Sequence, residues 1–348
     1  MTTLGTLEDL PIEYREALTS RNLVPLWPAM RSVLPYNVPT RDTSVINWDY
    51  QGIRPLLMEA GDLTPIEKAE RRVLILANPG HGLENIQATP SIYLGMQLIL
   101  PGETAPNHRH TPSAVRVIVE GEGAFTTVDG EPCQMERGDL ILTPAGKWHE
   151  HTHEGEGPIV WLDVLDLPLM YRLNSSWAIE GQLQNTDKTR DKSYSDYSAS
   201  GVVPNINRQR VDDSTPQLRY PWKKTRACLA EMAVDHHDGL LSIAYVNPES
   251  GRSIFPSIGF GAIMLRPGES RALPKQTSPI IFHVIEGEGR MCVEGHPSTD
   301  GSPVSFVERD TLSAPGYARI TLTNNSATAP LFLMTADECP LHEYLGIY

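Results

Sequence analysis

Gly102-Glu-Thr-Ala-Pro-Asn-His108-Arg-His110, joined further along by Gly138-Asp-Leu-Ile-Leu-Thr-Pro144-Ala-Gly146-Lys-Trp-His149, decides how this chain is read. Each run has the pattern of a β-strand, in which alternate side chains share a face, so the His-x-His pair sends both imidazoles to one side. Between the runs lies a good turn pair, Asp129-Gly130, which folds the chain back so that the later run returns antiparallel beside the earlier one. His149 then meets His108 and His110. A lone histidine is more often a hydrogen-bonded surface or core residue than a ligand. The joint spacing of Gly, His-x-His, Gly, Pro-x-Gly and His is far more specific and predicts a metal site.

Three neutral imidazoles leave the full charge on a divalent ion and, in an octahedron, three positions open. Such a site favours a dianionic chelator plus a small molecule. A structural zinc wants a fourth protein ligand and a closed shell, so the open count argues for catalysis; zinc holding a water is the alternative.

The frame around this site is that of a soluble globular protein. The 348 residues are enough for two domains of ordinary size, and 40% hydrophobic with 21% charged residues is an ordinary composition. No run approaches the roughly 18 apolar residues of a membrane span, and Met1-Thr-Thr-Leu4 opens without a basic region and apolar core, so the expected location is the cytoplasm. Cys133, Cys228, Cys292 and Cys339 are scattered and read as reduced thiols. A formal charge of −14 argues against nucleic acid and anionic membranes as partners, and an acidic substrate would need a local basic pocket.

An internal repeat organises the chain. Leu100-Pro-Gly102-Glu recurs as Arg266-Pro-Gly268-Glu, and Glu120-Gly121-Glu-Gly recurs as Glu286-Gly287-Glu-Gly, both pairs 166 positions apart. At that offset His108 becomes Pro274 and His110 becomes Gln276; past a longer hairpin, Pro144 matches Pro315 and His149 becomes Ile320. The second copy keeps turns and loses ligands, so it is expected to be a packing and assembly partner. His283 and His296 fall outside the ligand pattern. Alternation or apolar runs predict strands at 92–100, 115–119, 124–128, 159–164, 281–285 and 331–334. The expected organisation is a helical arm over 1–75, a metal-binding barrel over 76–170, a polar linker over 171–235 packing on the barrels, and a second barrel over 236–348. Within the arm, helical spacing starts at Leu10-Pro11, and the run Asn47 to Gly61 ends on a plausible glycine cap.

The two histidine runs resemble the paired motifs of the cupin superfamily, whose small antiparallel barrel holds a metal near its centre. One position departs: the first motif normally carries a Glu ligand where this chain has Ala114. With the ligands kept in the first copy and lost in the second, the chain resembles the bicupin gentisate and salicylate 1,2-dioxygenases over most of its length. The matching residues are Glu70-Arg71-Arg72-Val-Leu-Ile-Leu-Ala-Asn-Pro-Gly80, Thr104 to His110, Ala114-Val-Arg116 with Glu120-Gly-Glu-Gly, Trp148-His-Glu-His151, Trp161-Leu-Asp163-Val-Leu-Asp-Leu-Pro168 and Tyr245-Val-Asn-Pro248. The resemblance implies a mainly β fold of two cupin (double-stranded β-helix, jelly-roll-like) barrels with an N-terminal helical arm. It implies one Fe(II) per chain and a homotetramer. The implied reaction opens gentisate between C1 and C2 with O2 to give maleylpyruvate, with salicylate, substituted salicylates and 1-hydroxy-2-naphthoate as competing substrates.

It also places Arg71 and Arg116 on the substrate carboxylate, where a planar, permanently charged fork matches two oxygens. Arg116 follows His110 by six residues and lies on its face if the strand stays regular. His151, two residues past His149, is expected beside the metal as an acid/base or supporting residue, and His153 at the exposed rim. Asp163, in an apolar strand, needs a partner and could orient an imidazole or an arginine. Tyr93 and Gln97 could line the ring pocket, with Gly95 leaving space. A second class of function stays open, a bicupin that binds a metal or ligand without turnover; the retained arginines argue against it, and Ala114 argues against oxalate decarboxylation.

Overall fold

The computed structural model describes residues 4–182, 191–204, 216–295 and 301–347. The chain divides after Asp42. In the first unit, α1 (Ile12–Thr19) and α2 (Leu26–Val33) each begin directly after a proline, whose fixed φ suits a helix start. Neither helix buries a residue, and Ile12, Val24, Leu26 and Val33 are exposed.

The second unit opens with β1 (Ile46–Trp48), α3 (Tyr50–Leu63), α4 (Ile66–Ala69) and β2 (Arg72–Ile75). The first barrel follows: β3 (Tyr93–Ile99), β4 (Thr104–His110), β5 (Ala114–Glu120), β6 (Ala124–Val128), β7 (Glu131–Met135), β8 (Leu140–Thr143), β9 (His149–His153) and β10 (Ile159–Leu165). A connecting region carries α5 (Leu167–Arg172), β11 (Ala178–Glu180), α6 (Lys192–Asp196), β12 (Arg219–Tyr220) and α7 (Trp222–Asp235). The second barrel has β13 (Leu241–Ala244), β14 (Gly259–Leu265), β15 (Ser270–Ala272), β16 (Ile280–Glu286), β17 (Gly289–Glu294), β18 (Val304–Phe306), β19 (Thr311–Ala314), β20 (Arg319–Asn324) and β21 (Leu331–Asp337), then α8 (Cys339–Leu345). No described helix is long and apolar enough to cross a membrane.

Each barrel is a six-stranded sheet facing a smaller one. The large sheets run β12-β8-β5-β10-β3-β2 and β1-β19-β16-β21-β14-β13, the same order in both copies, and the small ones run β11-β4-β9-β6-β7 and β15-β20-β17-β18. Period-two alternation divides the side chains. Val115, Val117 and Val119 of β5 join Ile281 and Ile285 of β16 in a core shared by the two large sheets, whereas Ile118 fills the first barrel and Phe282 the second. Both faces are buried, which is why these strands read as apolar runs. Fully burying one such side chain contributes roughly 1.5–3 kcal/mol, against about 0–1 kcal/mol for an exposed ion pair, so the shared core holds the barrels together.

The repeat reaches further back than the motifs show. Tyr50 at the start of α3 donates its backbone N–H to Asp310 of the second barrel, while its hydroxyl and Arg54 bind Glu120 of the first. Trp222 at the start of α7 donates to Asp139 of the first barrel, while its indole and Arg226 bind Glu286 of the second. Each strand–helix pair thus crosses between the copies. Short β1 and β12, whose two or three residues carry little pattern, are clear only from their partners β19 and β8.

Some sequence expectations need correcting. Residues 46–48 and 72–75, placed in the helical arm, are strands of the large sheets. Part of the polar linker also enters the sheets, as β11 and β12. Gly61 is no cap: α3 runs on to Leu63, and Gly61 packs where a Cβ would stand 3.2 Å from Leu98 Cδ2. The strand carrying His110 does not continue to Arg116, because the chain turns after His110 and β5 lies in the opposite sheet. His296 lies outside the described residues; His283 is buried, with Nδ1 3.0 Å from Thr311 Oγ1.

Candidate active site

The Asp129-Gly130 turn forms with both residues at positive φ, 45° and 80°, the two-residue geometry that matches strand twist. The hairpin of β6 and β7 leads through β8 to β9, which lies between β4 and β6. Its first residue, His149, pairs directly with His108. The ring centroids of His108, His110 and His149 stand 5.2, 4.0 and 4.8 Å apart (His108–His110, His108–His149, His110–His149), and one donor atom from each comes within 4.8 Å of the others.

For His110 and His149 the backbone selects which nitrogen the ring offers. His110 Nδ1 lies 2.7 Å from the Pro112 carbonyl and His149 Nδ1 3.1 Å from that of Lys147, so Nδ1–H donates and Nε2 keeps its lone pair. His149 Nε2 is buried without a hydrogen-bond partner among the described residues. A buried acceptor left unpaired costs free energy, and a metal ion is the partner this donor set suits. Burial, then Arg71, His110 and Arg116, pushes His108 down to about 2; burial and Arg116 push His110 down to about 4, and His149 is lowered by the same two causes. All three imidazoles are neutral, the form a metal binds.

Two arginines reach this site from the large sheet, one at the start of its edge strand β2 and one from the central strand β5. Arg71, just before β2, contacts His108 Nδ1 and donates from Nη2 to the Pro106 carbonyl at 2.6 Å. Arg116, on the inward face of β5, donates to Thr143 Oγ1 at 2.5 Å and faces Asp163 Oδ1 of β10 at 3.5 Å. Burial and the neighbouring Arg116 lower Arg71 to about 10. Burial raises Asp163 to about 6 against the pull of Arg116. With two guanidiniums and one carboxylate, the pocket is a cationic spot in an acidic protein.

His151 is buried with Nδ1 3.0 Å from Thr126 Oγ1, its ring 5.9 Å from His149 and 4.9 Å from Trp161, and Nε2 without a partner among the described residues. Burial and Arg116 hold it neutral. Gln97 points into the barrel with Nε2 buried and unpaired among the described residues. Tyr93 precedes it on the same face, its phenol raised by burial and by Asp163. Gly95 between them leaves no free space: a Cβ there would stand 2.5 Å from Val73 Cγ1 and 2.6 Å from the Tyr93 hydroxyl. His153 is not at an exposed rim but buried, folded onto the Gly157 carbonyl of its own turn.

The contacts of Thr126, Thr143 and Trp161 with the site were not expected from the sequence, although the two threonines sit at buried positions of mostly apolar strands, which is a usable signal. β11 escaped it as well, since its side chains are all exposed and only its pairing with β4 defines it.

The Cupin domain family profile matches residues 95–165, the barrel that holds the three histidines. Gentisate 1,2-dioxygenase from Ralstonia sp is 55% identical over 99% of this chain and 95% of that protein. The chain belongs to the gentisate 1,2-dioxygenase family. A second member, gentisate 1,2 dioxygenase 1 from Aquipseudomonas alcaligenes, is 38% identical over 97% of this chain and 94% of its own length. Among solved structures, salicylate 1,2-dioxygenase from Pseudoaminobacter salicylatoxidans, crystallised with gentisate, superposes with a TM-score of 0.88 at 28% identity, covering 100% of this chain and 94% of that one. Membership accords with the two-barrel architecture and with a metal cofactor at the three histidines.

Proposed function

We propose that this chain is an Fe(II)-dependent extradiol-type dioxygenase that opens gentisate (2,5-dihydroxybenzoate) between C1 and C2, incorporates both atoms of O2 and yields maleylpyruvate. The observation that carries this reading is the open set of three neutral imidazoles beside Arg71 and Arg116, in a member of the gentisate 1,2-dioxygenase family. One iron per chain would be held by His108, His110 and His149, and when bound it supplies a common contact for substrate and O2 through which electrons leave the ring. The ring gives the four electrons that O2 takes, so no other reductant enters.

The protein's own residues bind, orient and move protons. Arg71 and Arg116 take the substrate carboxylate, and Asp163 with Thr143 keeps the Arg116 head aimed into the barrel. Tyr93 borders the ring, and the unpaired Gln97 amide is a donor for a ring oxygen. His151, fixed through Nδ1 by Thr126, offers Nε2 to the proton that the 2-hydroxyl loses. The apolar barrel wall excludes bulk water and strengthens each of these contacts.

In this reading residues 76–170 carry the chemistry together with Arg71, the linker over 171–235 packs on the barrels, and 236–348 serve packing and assembly into a homotetramer in the cytoplasm. The test is to load the protein anaerobically with Fe(II) and gentisate, then admit oxygen. We expect one O2 consumed per ring-opened ultraviolet-absorbing product, with gentisate faster than salicylate or 1-hydroxy-2-naphthoate because its 5-hydroxyl donates para to the 2-hydroxyl. Absence of oxygen uptake with every 2-hydroxybenzoate would favour a binding protein without turnover.

A further inference from the structure

We infer that Arg109, the residue between the two β4 ligands, is a positioning residue: it stacks with Trp148 and Trp177 on the outer face of the sheet and thereby makes the β11 strap part of the metal site. This rests on the reading that the three histidines hold a metal.

The backbone alone holds the ligand strands loosely. The β4–β9 ladder pairs Thr104 with Thr152 and Ala105 with His151, then breaks, and resumes only at His108 with His149. Pro106 within the break has no N–H to give. β9 begins at His149, so His110 lies beyond that ladder and is joined on that side by a loop contact, the Gly146 N–H donating to its carbonyl at 2.8 Å. On the other side it pairs with Ala178 of β11, a strand of three residues with exposed side chains. So short an edge needs side-chain support.

Arg109 supplies it. Its side chain points away from the face that His108 and His110 share. The guanidinium carbon lies 4.8 Å from the Trp148 ring centroid and 5.8 Å from that of Trp177, within cation–π reach of both. Arg109 Nε is closed to solvent with no acceptor among the described residues, so the rings hold this head. Trp148 is itself pinned: its backbone N–H donates to Asp129 Oδ1 at 3.0 Å, and its ring packs so close to Gly181 that a Cβ there would overlap it. Trp177 is tied to the end of β4 by two hydrogen bonds with Thr111. Trp148 immediately precedes His149, so fixing the indole fixes the next imidazole. One residue from each of three adjacent segments, on the outer face, sets the spacing of the three ligands on the inner face.

The test compares Arg109→Leu, Arg109→Lys and Trp177→Leu with wild type. Metal release from the loaded enzyme to a chelator, the visible spectrum of the Co(II)-substituted protein and the melting temperature of the metal-free protein are all measured. Residues that orient metal ligands from outside typically change affinity about 10–100-fold. We expect Arg109→Leu to release metal about tenfold faster or more, with a shifted Co(II) band and a nearly unchanged metal-free melting temperature, and Arg109→Lys to recover part of the difference. Trp177 is 44% exposed, so its replacement leaves the barrel core intact and carries the test should Arg109→Leu fold poorly. Wild-type release rates and spectra in Arg109→Leu or, if that variant misfolds, in Trp177→Leu would overturn the inference while leaving the proposed function standing. A wild-type protein that retains no metal would overturn both.

Discussion

The two barrels share strand order, turn residues and helical clamps, yet among the described residues only the first gathers a cluster of three histidines. Ladder registers match them residue by residue: Val73 pairs with Gln97 as Ser242 pairs with Ile263, and Gly95 with Asp163 as Gly261 with Thr335. By this match Arg71 corresponds to Leu240, Gln97 to Ile263 and Asp163 to Thr335; the 166-residue offset relates Arg116 to Phe282. Each of these four polar residues of the first barrel has a less polar counterpart in the second. The fold therefore depends on alternation and turns, and the inward positions near one end are free to carry a site or a filler. The first barrel accepts desolvated charges that the second avoids.

The largest effect should come from exchanging ligands for their counterparts. His108→Ala is expected to abolish metal retention and turnover together, whereas Pro274→Ala should change neither; metal analysis and oxygen uptake decide. If Pro274→Ala also lost metal, the division of labour between the barrels would be wrong.

Next comes the arginine. Arg116→Ala should keep the metal, lower kcat/KM on the order of 100-fold or more through lost charge-assisted hydrogen bonds, and destabilise the protein by about 3–5 kcal/mol by stranding Asp163. Copying the second barrel with Arg116→Phe and Asp163→Thr together should cost the same activity while leaving stability unchanged or raised by about 1–4 kcal/mol. Denaturant titration separates the two outcomes, and normal kinetics in Arg116→Ala would remove the carboxylate clamp.

A smaller difference is expected between the clamps. Glu120 gathers Tyr50, Arg54 and Arg309, whereas Glu286 has Trp222 and the half-exposed Arg226. Glu120→Gln should lower stability by roughly 1–3 kcal/mol and Glu286→Gln by about 1 kcal/mol or less, read from melting curves.

The pH dependence sharpens the same contrast. Burial pushes Glu120 up, but hydrogen bonds from Arg54 and Tyr50 and the charges of Arg54 and Arg309 outweigh it and hold the carboxyl below its ordinary value. A carboxylate lowered on folding contributes stability that is complete above its unfolded pKa and is lost as pH falls through the folded value. On acidification from about pH 5, wild type should lose more melting temperature than Glu120→Gln. Parallel curves would mean that the cluster is not ionised as described.

How much of this was legible depended on whether a feature repeats locally. His108, His110 and His149 stood out because strand periodicity and a two-residue turn fix their faces, and both operate over a few residues. Arg116 was rightly sent inward on faulty geometry, since a regular strand from His110 was assumed where the chain crosses to the other sheet. His153 and Gly61 were misread because burial by a turn or by a crossing strand leaves no local mark.

Composition, alternation and the 166-residue repeat thus determined two barrels, one with ligands and one without, because these patterns follow from where each side chain must point along its own strand. Only the tertiary structure decided that β1 and β12 cross between the copies, that a stretch of apparent linker pairs with β4, and that Thr126 meets His151 while Thr143 and Asp163 meet Arg116. Those are contacts between residues far apart in the chain, and their energies exist only once the sheets have met.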